Sequence, residues 1–289
     1  MGYGAWTSNA YTSTIRGMGF TSAKDVQTAN VQEVYRENHL HPMLNPYKAQ
    51  RECRDTAEHP ETIPVILALD VTGSMGNAAT TCAGKLDEIM TELYGNVKDV
   101  EFMMMGIGDL DCDEAPIQAS QFESDVRILD QTTKIYFEGG GGGNGFESYT
   151  AAWYFGLHNT DLDCWKRGKK GIIITMGDEP LNPYLPGREL ADTLGCPAED
   201  IDTKALYEAV TEKFDVYHIA ITNESSYDWH KKGIERTWRP LLGNHFITGT
   251  SDQLPQIIGA IIADHEESSN VTVVDTPDGI QIMGEGIVW

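Results

Sequence analysis

Ile63-Pro-Val-Ile-Leu-Ala-Leu-Asp70-Val-Thr72-Gly-Ser74-Met-Gly76 is the stretch that decides the fold. Val65 to Leu69 is an unbroken apolar run, which predicts a strand buried on both faces, as in a parallel sheet. The run ends at a carboxylate, Asp70, and two hydroxyls follow at spacings of two. Gly73 and Gly76 let the chain turn sharply before a long amphipathic pattern begins. An acid and two hydroxyls therefore fall in the loop at the carboxyl end of a central strand, where open α/β sheets bind ligands. Helix capping, which Ser and Thr favour, is the competing reading of Thr72 and Ser74.

Outward from this stretch, strand and helix patterns alternate. The predicted helix over Asn77–Tyr94 has Ala79, Cys82, Ala83, Leu86, Ile89, Met90 and Leu93 at spacings of three and four. Val100–Ile107, Gly171–Met176 and Val216–Ile221 read as further buried strands, and His245–Thr248 as a last one. Ile117–Phe122 reads as a short edge strand. Phe122, Val126, Leu129, Thr133 and Tyr136 mark a helix face, as do Ala205, Leu206, Ala209, Val210 and Phe214 in Thr203–Phe214. Further helices are expected at Tyr149–His158 and Tyr227–Arg236, and a final one carries Leu254, Ile257, Ile258, Ile261 and Ile262. Such alternation implies a mostly parallel sheet covered on both faces. Leu181–Gly187, with three prolines, reads as a loop. The tail from Val271 to Ile282 alternates on both sides of Pro-Asp-Gly and predicts a β-hairpin.

Residues 1–60 are polar and broken by prolines, with one short helix expected over Val26–Glu37. Tyr3, Trp6, Tyr11 and Phe20 give this arm aromatic residues for docking on its own domain or on a neighbour. The reading therefore divides the chain into an extended arm (1–61), an α/β domain (62–266) and a hairpin tail (267–289).

With 289 residues, 40% of them hydrophobic, the chain has material for one large α/β domain and a substantial core. The formal net charge is −23. Residues 1–61 hold six basic and seven acidic groups, so nearly all of that charge falls on residues 62–289. A field of this sign repels nucleic acid and anionic membranes and favours cations and basic partners. No run approaches the ~20 apolar residues of a membrane span. Met1-Gly-Tyr-Gly-Ala-Trp has neither the basic region nor the apolar core of a signal peptide. Five scattered cysteines without a Cys-x-x-Cys argue against a disulfide framework or structural zinc, and the expected compartment is the reducing cytoplasm.

Asp70, Thr72 and Ser74 match the Asp-x-Ser/Thr-x-Ser signature of von Willebrand factor A domains. The order of later motifs supports the resemblance over residues 62–266: a glycine run (Gly139–Gly143) before a helix, then an acid closing a later apolar strand. The chain looks closer still to bacterial and phage proteins of this class. Arg51-Glu-Cys-Arg-Asp-Thr, Gly106-Ile-Gly-Asp, Glu138 with its glycine run, and Ile174-Thr-Met-Gly-Asp-Glu carry that closer likeness. The resemblance implies a Rossmann-like, doubly wound α/β fold with an N-terminal arm and a C-terminal hairpin. It also implies a metal-ion-dependent adhesion site for Mg²⁺, or Mn²⁺, with Ca²⁺ as a further candidate.

In that family a carboxylate from another protein completes the ion's coordination. Asp70, Thr72 and Ser74 would be the first-loop ligands. The second loop usually supplies a threonine, and the matching position here is Asn144, with Glu147 as the alternative; Ser148 is expected to cap the following helix. The third loop has its acid two residues further on, at Asp178, with Glu179 second. Asp109 should face the same rim. Asp109, Asp111 and Asp113 resemble the opening of a calcium loop, but Glu114 and Ser120 stand where its glycine and final glutamate belong. A hard cation with few direct carboxylates keeps uncompensated charge, which suits it to capture a partner's Asp or Glu without a covalent step.

The expected function is thus a metal-dependent protein-binding module, not an enzyme. Similar bacterial domains work with motor ATPases, so an AAA+ ATPase is a candidate partner. The alternative is a structural or assembly protein, phage-borne in one version, whose arm and tail hold a homo-oligomer together. A third reading is Mg²⁺-dependent phosphotransfer with Asp70 as nucleophile. Haloacid-dehalogenase-like phosphatases need a second Asp two residues on, where this chain has Thr72.

Overall fold

The computed structural model describes residues 4–97, 99–139, 145–196, 199–269, 272–276 and 279–283. The chain opens with three short helices, α1 (Ser8–Gly17), α2 (Ala23–Thr28) and α3 (Val31–Val34). The single helix expected over Val26–Glu37 is split between the last two. Asn30 accepts from Gln32 N while Glu33 accepts from Asn30 N, and this capping box restarts the helix after an extended Ala29. A short strand, β1 (Arg51–Cys53), precedes the stretch that decides the fold.

That stretch forms β2 (Ile63–Asp70), followed by the long α4 (Gly76–Asn96) and by β3 (Val100–Ile107). Val65, Leu67 and Leu69 of β2 enter one core while Ile66 and Ala68 enter a second, so the strand is buried on both faces. The edge strand β4 (Ile117–Ala119) pairs antiparallel with β3. The long helix expected across 122–136 shrinks to α5 (Arg127–Thr132). Backbone bonds between Phe102 and Glu123 hold the segment before it extended, and Gln118 Oε1 accepts from Tyr136 N after it.

The chain then crosses back under the sheet through α6 (Thr150–His158), β5 (Thr160–Leu162), which pairs with β1, and α7 (Asp163–Lys166). It returns as β6 (Gly171–Gly177) on the other side of β2. The proline-rich loop contains β7 (Tyr184–Leu185), then come α8 (Gly187–Leu194), β8 (Ile201–Asp202) and α9 (Thr203–Val210). The remaining elements are β9 (Phe214–Ile221), α10 (Tyr227–Leu242), β10 (Phe246–Gly249), α11 (Leu254–Ser269) and the antiparallel pair β11 (Thr272–Thr276) and β12 (Gly279–Met283). The strand pairing expected in the tail is therefore present, while the Pro277-Asp278 step of the expected turn lies outside the described residues.

The main sheet has the order β10-β9-β6-β2-β3-β4, parallel except for β4. α4 and α11 contribute to the core on one face, and α6, α8, α9 and α10 to the core on the other. This is the expected mixed α/β fold with a mostly parallel sheet flanked by helices. From β2 the chain goes first to β3 and later to β6, on opposite sides and over opposite faces. The carboxyl ends of β2 and β6 are thus a topological switch point, where such sheets open a crevice.

The N-terminal segment is not a free extended arm. Its helices lie on α4. Tyr35 and Tyr11 donate to the carbonyls of Ala79 and Gly84, each at 2.9 Å, and Trp6 Nε1 donates to Asp87 Oδ1 at 2.8 Å. Trp6, Tyr11 and Phe20 thus pack within the chain, while Tyr3 lies outside the described residues.

Candidate functional site

Asp70 closes β2 and is fully buried. Its Oδ1 accepts from the backbone N–H of Thr72 at 2.9 Å and from the Thr72 hydroxyl at 2.6 Å. Its Oδ2 accepts from the Tyr149 hydroxyl at 2.6 Å. Asp178 follows β6 directly and is also fully buried. The Ser74 hydroxyl donates to Asp178 Oδ1 at 2.9 Å, and Ser226 N donates to Oδ2 at 3.2 Å. Ser74 therefore ties the first loop to the third. The two-residue displacement of the acid is absorbed by β6 running on to Gly177. The hydroxyls do not cap a helix: the turn Gly73–Met75 has no side-chain cap.

Glu147 lies in the loop before α6, bridged to Leu181, and is buried with no hydrogen-bond partner for Oε2. Asn144, the other candidate from that loop, lies outside the described residues. Ser148 is not a helix cap: its hydroxyl accepts from Leu110 N at 3.0 Å and fastens this loop to the one after β3. Glu179 is buried beside Asp178, with its carboxylate against the His230 imidazole. Asp109 sits at the same end of the sheet, but its Oδ1 accepts from Asp111 N, and Asp113 Oδ2 accepts from Asp109 N. These carboxylates serve the amides of their own loop. The calcium-loop likeness of 109–113 is thus met by turn geometry, as Asx turns require.

Burial pushes the Asp70 carboxyl well above the usual range, with the charge of Asp178 adding to the effect against the Thr72 and Tyr149 hydrogen bonds. Asp178 is raised mainly by burial. Burial, then the charges of Asp70, Asp113, Asp109 and Glu179, drive Glu147 up further. Glu179 reaches about 8 through burial and the charges of Asp178 and Asp70. Among the described residues no Lys or Arg pairs with Asp70, Asp178 or Glu147.

Four residues around the site escape a reading of the sequence. Tyr149 reaches Asp70 by lying across the end of β6, where a Cβ on Gly177 would stand 2.1 Å from its hydroxyl. Beneath it, His218 stacks on Trp238 at 3.7 Å, and both rings pack against Tyr149, forming a rigid aromatic floor. Glu224 is buried in the loop after β9, pushed to about 7 by burial and then by Asp178. Its one signal is position, at the carboxyl end of the strand next to β6.

The donor set is oxygen only, carboxylate and hydroxyl, which suits a hard divalent cation. The unpartnered Glu147 Oε2 and the uncompensated charge of Asp70 and Asp178 fit the same group. Among the described residues no three His, Cys, Asp or Glu side chains form a metal cage by themselves, so hydroxyls or water would have to complete the shell. A groove of about 860 Å³ lies elsewhere, along β10 and α11, lined by Tyr217, His245, Ile247, Ile257 and Ile261, and holds none of these acids. No described helix is long and apolar enough to cross a membrane.

No protein-family model and no curated protein matches the sequence. Solved structures do match. The SpaC pilus adhesin from Lactobacillus rhamnosus GG, in its open conformation, is similar over 77% of this chain and 31% of its own, at 12% identity and a TM-score of 0.50. Proximal thread matrix protein 1 from the mussel byssus aligns over 74% of this chain and 49% of its own, at 13% identity and a TM-score of 0.41. BatB from Bacteroides thetaiotaomicron aligns over 71% and 98%, at 11% identity and a TM-score of 0.43. The chain spans under a third of the adhesin's length. Together with the strand order, the likeness to the adhesin is one of architecture: this chain has a von Willebrand factor A-like fold at low sequence identity.

Proposed function

We propose that the chain is a metal-dependent protein-binding module whose cation, Mg²⁺ or Mn²⁺, sits between the carboxyl ends of β2 and β6. The observation that carries this reading is the pair of fully buried carboxylates, Asp70 and Asp178, joined to the hydroxyls of Thr72 and Ser74 and paired with no Lys or Arg among the described residues, with only the His230 imidazole of α10 nearby to ease the charge of Asp178. Burying unpaired anions is costly, and a cation removes that cost. Asp70, Thr72, Ser74 and Asp178 would hold the ion, with Glu147 or Asn144 from the second loop. When bound, the ion supplies an electrophilic position for a carboxylate oxygen of another protein. The chain's own residues orient that position: Tyr149 and Thr72 fix Asp70, and Ser226 N fixes Asp178. No covalent step is part of this reading.

Calorimetric titration of the metal-stripped protein with Mg²⁺, Mn²⁺ and Ca²⁺ tests it. Saturable one-site binding, lost in Asp70→Ala/Ser74→Ala with the fold intact, is the expected result. Absence of binding, with the wild-type chain folded, would sink the proposal.

A further inference from the structure

In a chain of net charge −23, α10 stands out as basic: Lys231, Lys232, Arg236 and Arg239 against Asp228 and Glu235. Tyr227, Ile234, Trp238 and Leu242 turn into the core. Trp229, Lys232 and Arg236 follow at spacings of three and four on the opposite face, and all three are exposed. Trp229 is 86% exposed, far more than any other described large hydrophobic side chain. Arg239 is engaged by Glu235, and Lys231 lies over the Tyr227 ring. Among the described residues Lys232 and Arg236 have no ion pair. The strip begins at the rim of the candidate site, because Ser226 N donates to Asp178 and His230 contacts Glu179.

We propose that Trp229, Lys232 and Arg236 form a docking strip for a short acidic segment of a partner protein. An apolar residue of that segment would cover Trp229, and acidic residues would meet Lys232 and Arg236. The proposal rests on the preceding reading for the end of the strip next to the site, where a further acid of the same segment enters it. Trp and Arg are the side chains that most often dominate binding when a partner covers them. Seven residues of helix span ~10 Å, so a few extended residues of partner cover the strip. A short segment stays within the local positive field. A nucleic acid would extend past the strip, along a chain of net charge −23, beyond the ~8 Å over which physiological salt lets the patch act.

The test selects phage-displayed random peptides on the immobilised full chain in Mg²⁺, then measures synthetic copies of the enriched peptides by fluorescence anisotropy. Wild type is compared with Trp229→Ala, Lys232→Glu/Arg236→Glu and Asp70→Ala, with melting curves confirming that the surface variants fold. Enriched peptides should be acidic with one aromatic or aliphatic residue. They should lose about tenfold or more in affinity on either strip variant, equivalent to about 1.4 kcal/mol. Peptides in which the acids facing the strip are replaced by Lys should prefer the charge-reversed variant. No enrichment, enrichment of non-acidic peptides, unchanged affinity in the strip variants, or tighter binding of a short RNA or DNA duplex would each overturn the strip. Affinity that depends on Mg²⁺ and Asp70 but ignores the strip variants rejects the strip and keeps the site. Affinity that depends on the strip but is unchanged in chelator and in Asp70→Ala keeps the strip and rejects the metal reading.

Discussion

The Tyr149 hydroxyl donates to Asp70 Oδ2 at 2.6 Å, reaching it across the Cα of Gly177. One residue of β6 thus has no side chain so that a ring from the start of α6 can fix the acid at the end of β2. Tyr149→Phe keeps the ring and removes the donor, and should cost about 1–3 kcal/mol of stability, as for a hydrogen bond to a charged group. Gly177→Ala places a Cβ against three Tyr149 atoms and should cost about as much through overpacking. Urea unfolding of both variants checks this. Wild-type stability in Gly177→Ala would show that the Tyr149 ring is free to move.

Asp70→Asn removes a buried negative charge next to Asp178 while keeping an acceptor for Thr72. The metal-free variant should be more stable than the metal-free wild type, by on the order of 1–2 kcal/mol near pH 8, and should no longer bind cation. Thermal melts with and without chelator, beside calorimetry, report both quantities. A variant less stable than the metal-free wild type would mean that the Asp70 charge supports the fold.

Burial raises Glu179 to about 8 and Glu224 to about 7, each reinforced by Asp178. Protons therefore compete with a cation for this end of the sheet. Apparent Mn²⁺ affinity should rise between about pH 6 and pH 8, and binding near pH 7 should release protons, as carboxylate ligands require. Calorimetry in buffers of different ionisation enthalpy measures that release. Affinity independent of pH would remove these acids from the site.

At the opposite end of the sheet, Glu101 is buried next to Cys53, and burial is the main cause that raises it to about 7. Its folded value lies above the ordinary ~4.5, so the folded chain holds this proton more tightly than the unfolded chain. The associated stability is fully present below about pH 4.5 and is lost as pH rises through 7. Glu101→Gln should therefore flatten the fall in stability between those limits and raise stability at pH 8 by up to about 3 kcal/mol. The effect should be the same with and without Mg²⁺. Denaturant midpoints over that pH range are the measurement.

Gly84 lies where α2 crosses α4, and a Cβ there would come within 2.4 Å of Gln27 Cγ and 2.9 Å of the Ala23 carbonyl. Gly84→Ala should push α2 off α4, cost about 1–3 kcal/mol, and open residues before 60 to limited proteolysis. A protease pattern identical to wild type would show that the N-terminal helices are held mainly by Tyr11, Trp6 and Tyr35.

Short-range signals carried most of the fold. The run Val65–Leu69 reads as a doubly buried strand, and the apolar spacing in α4 is written in consecutive residues. Gly-Asp after Ile174-Thr-Met also marks the end of a parallel strand. One competing local motif and several neighbours distant in sequence decided the rest. Asn30 and Glu33 break a predicted helix because a local capping box competes with it. The pairing of Phe102 with Glu123 shortens α5. Aromatic residues of a polar segment are buried because α4 offers carbonyl acceptors at Ala79 and Gly84.

At the site, strand periodicity and chain order suffice to put Asp70, Thr72, Ser74 and Asp178 at the carboxyl ends of strands. Folding in three dimensions is what bonds Ser74 to Asp178, sets Tyr149 rather than a basic residue on Asp70, and buries Glu147 and Glu224 beside them. Each of these depends on distances between segments about 45–105 residues apart, which no local pattern encodes.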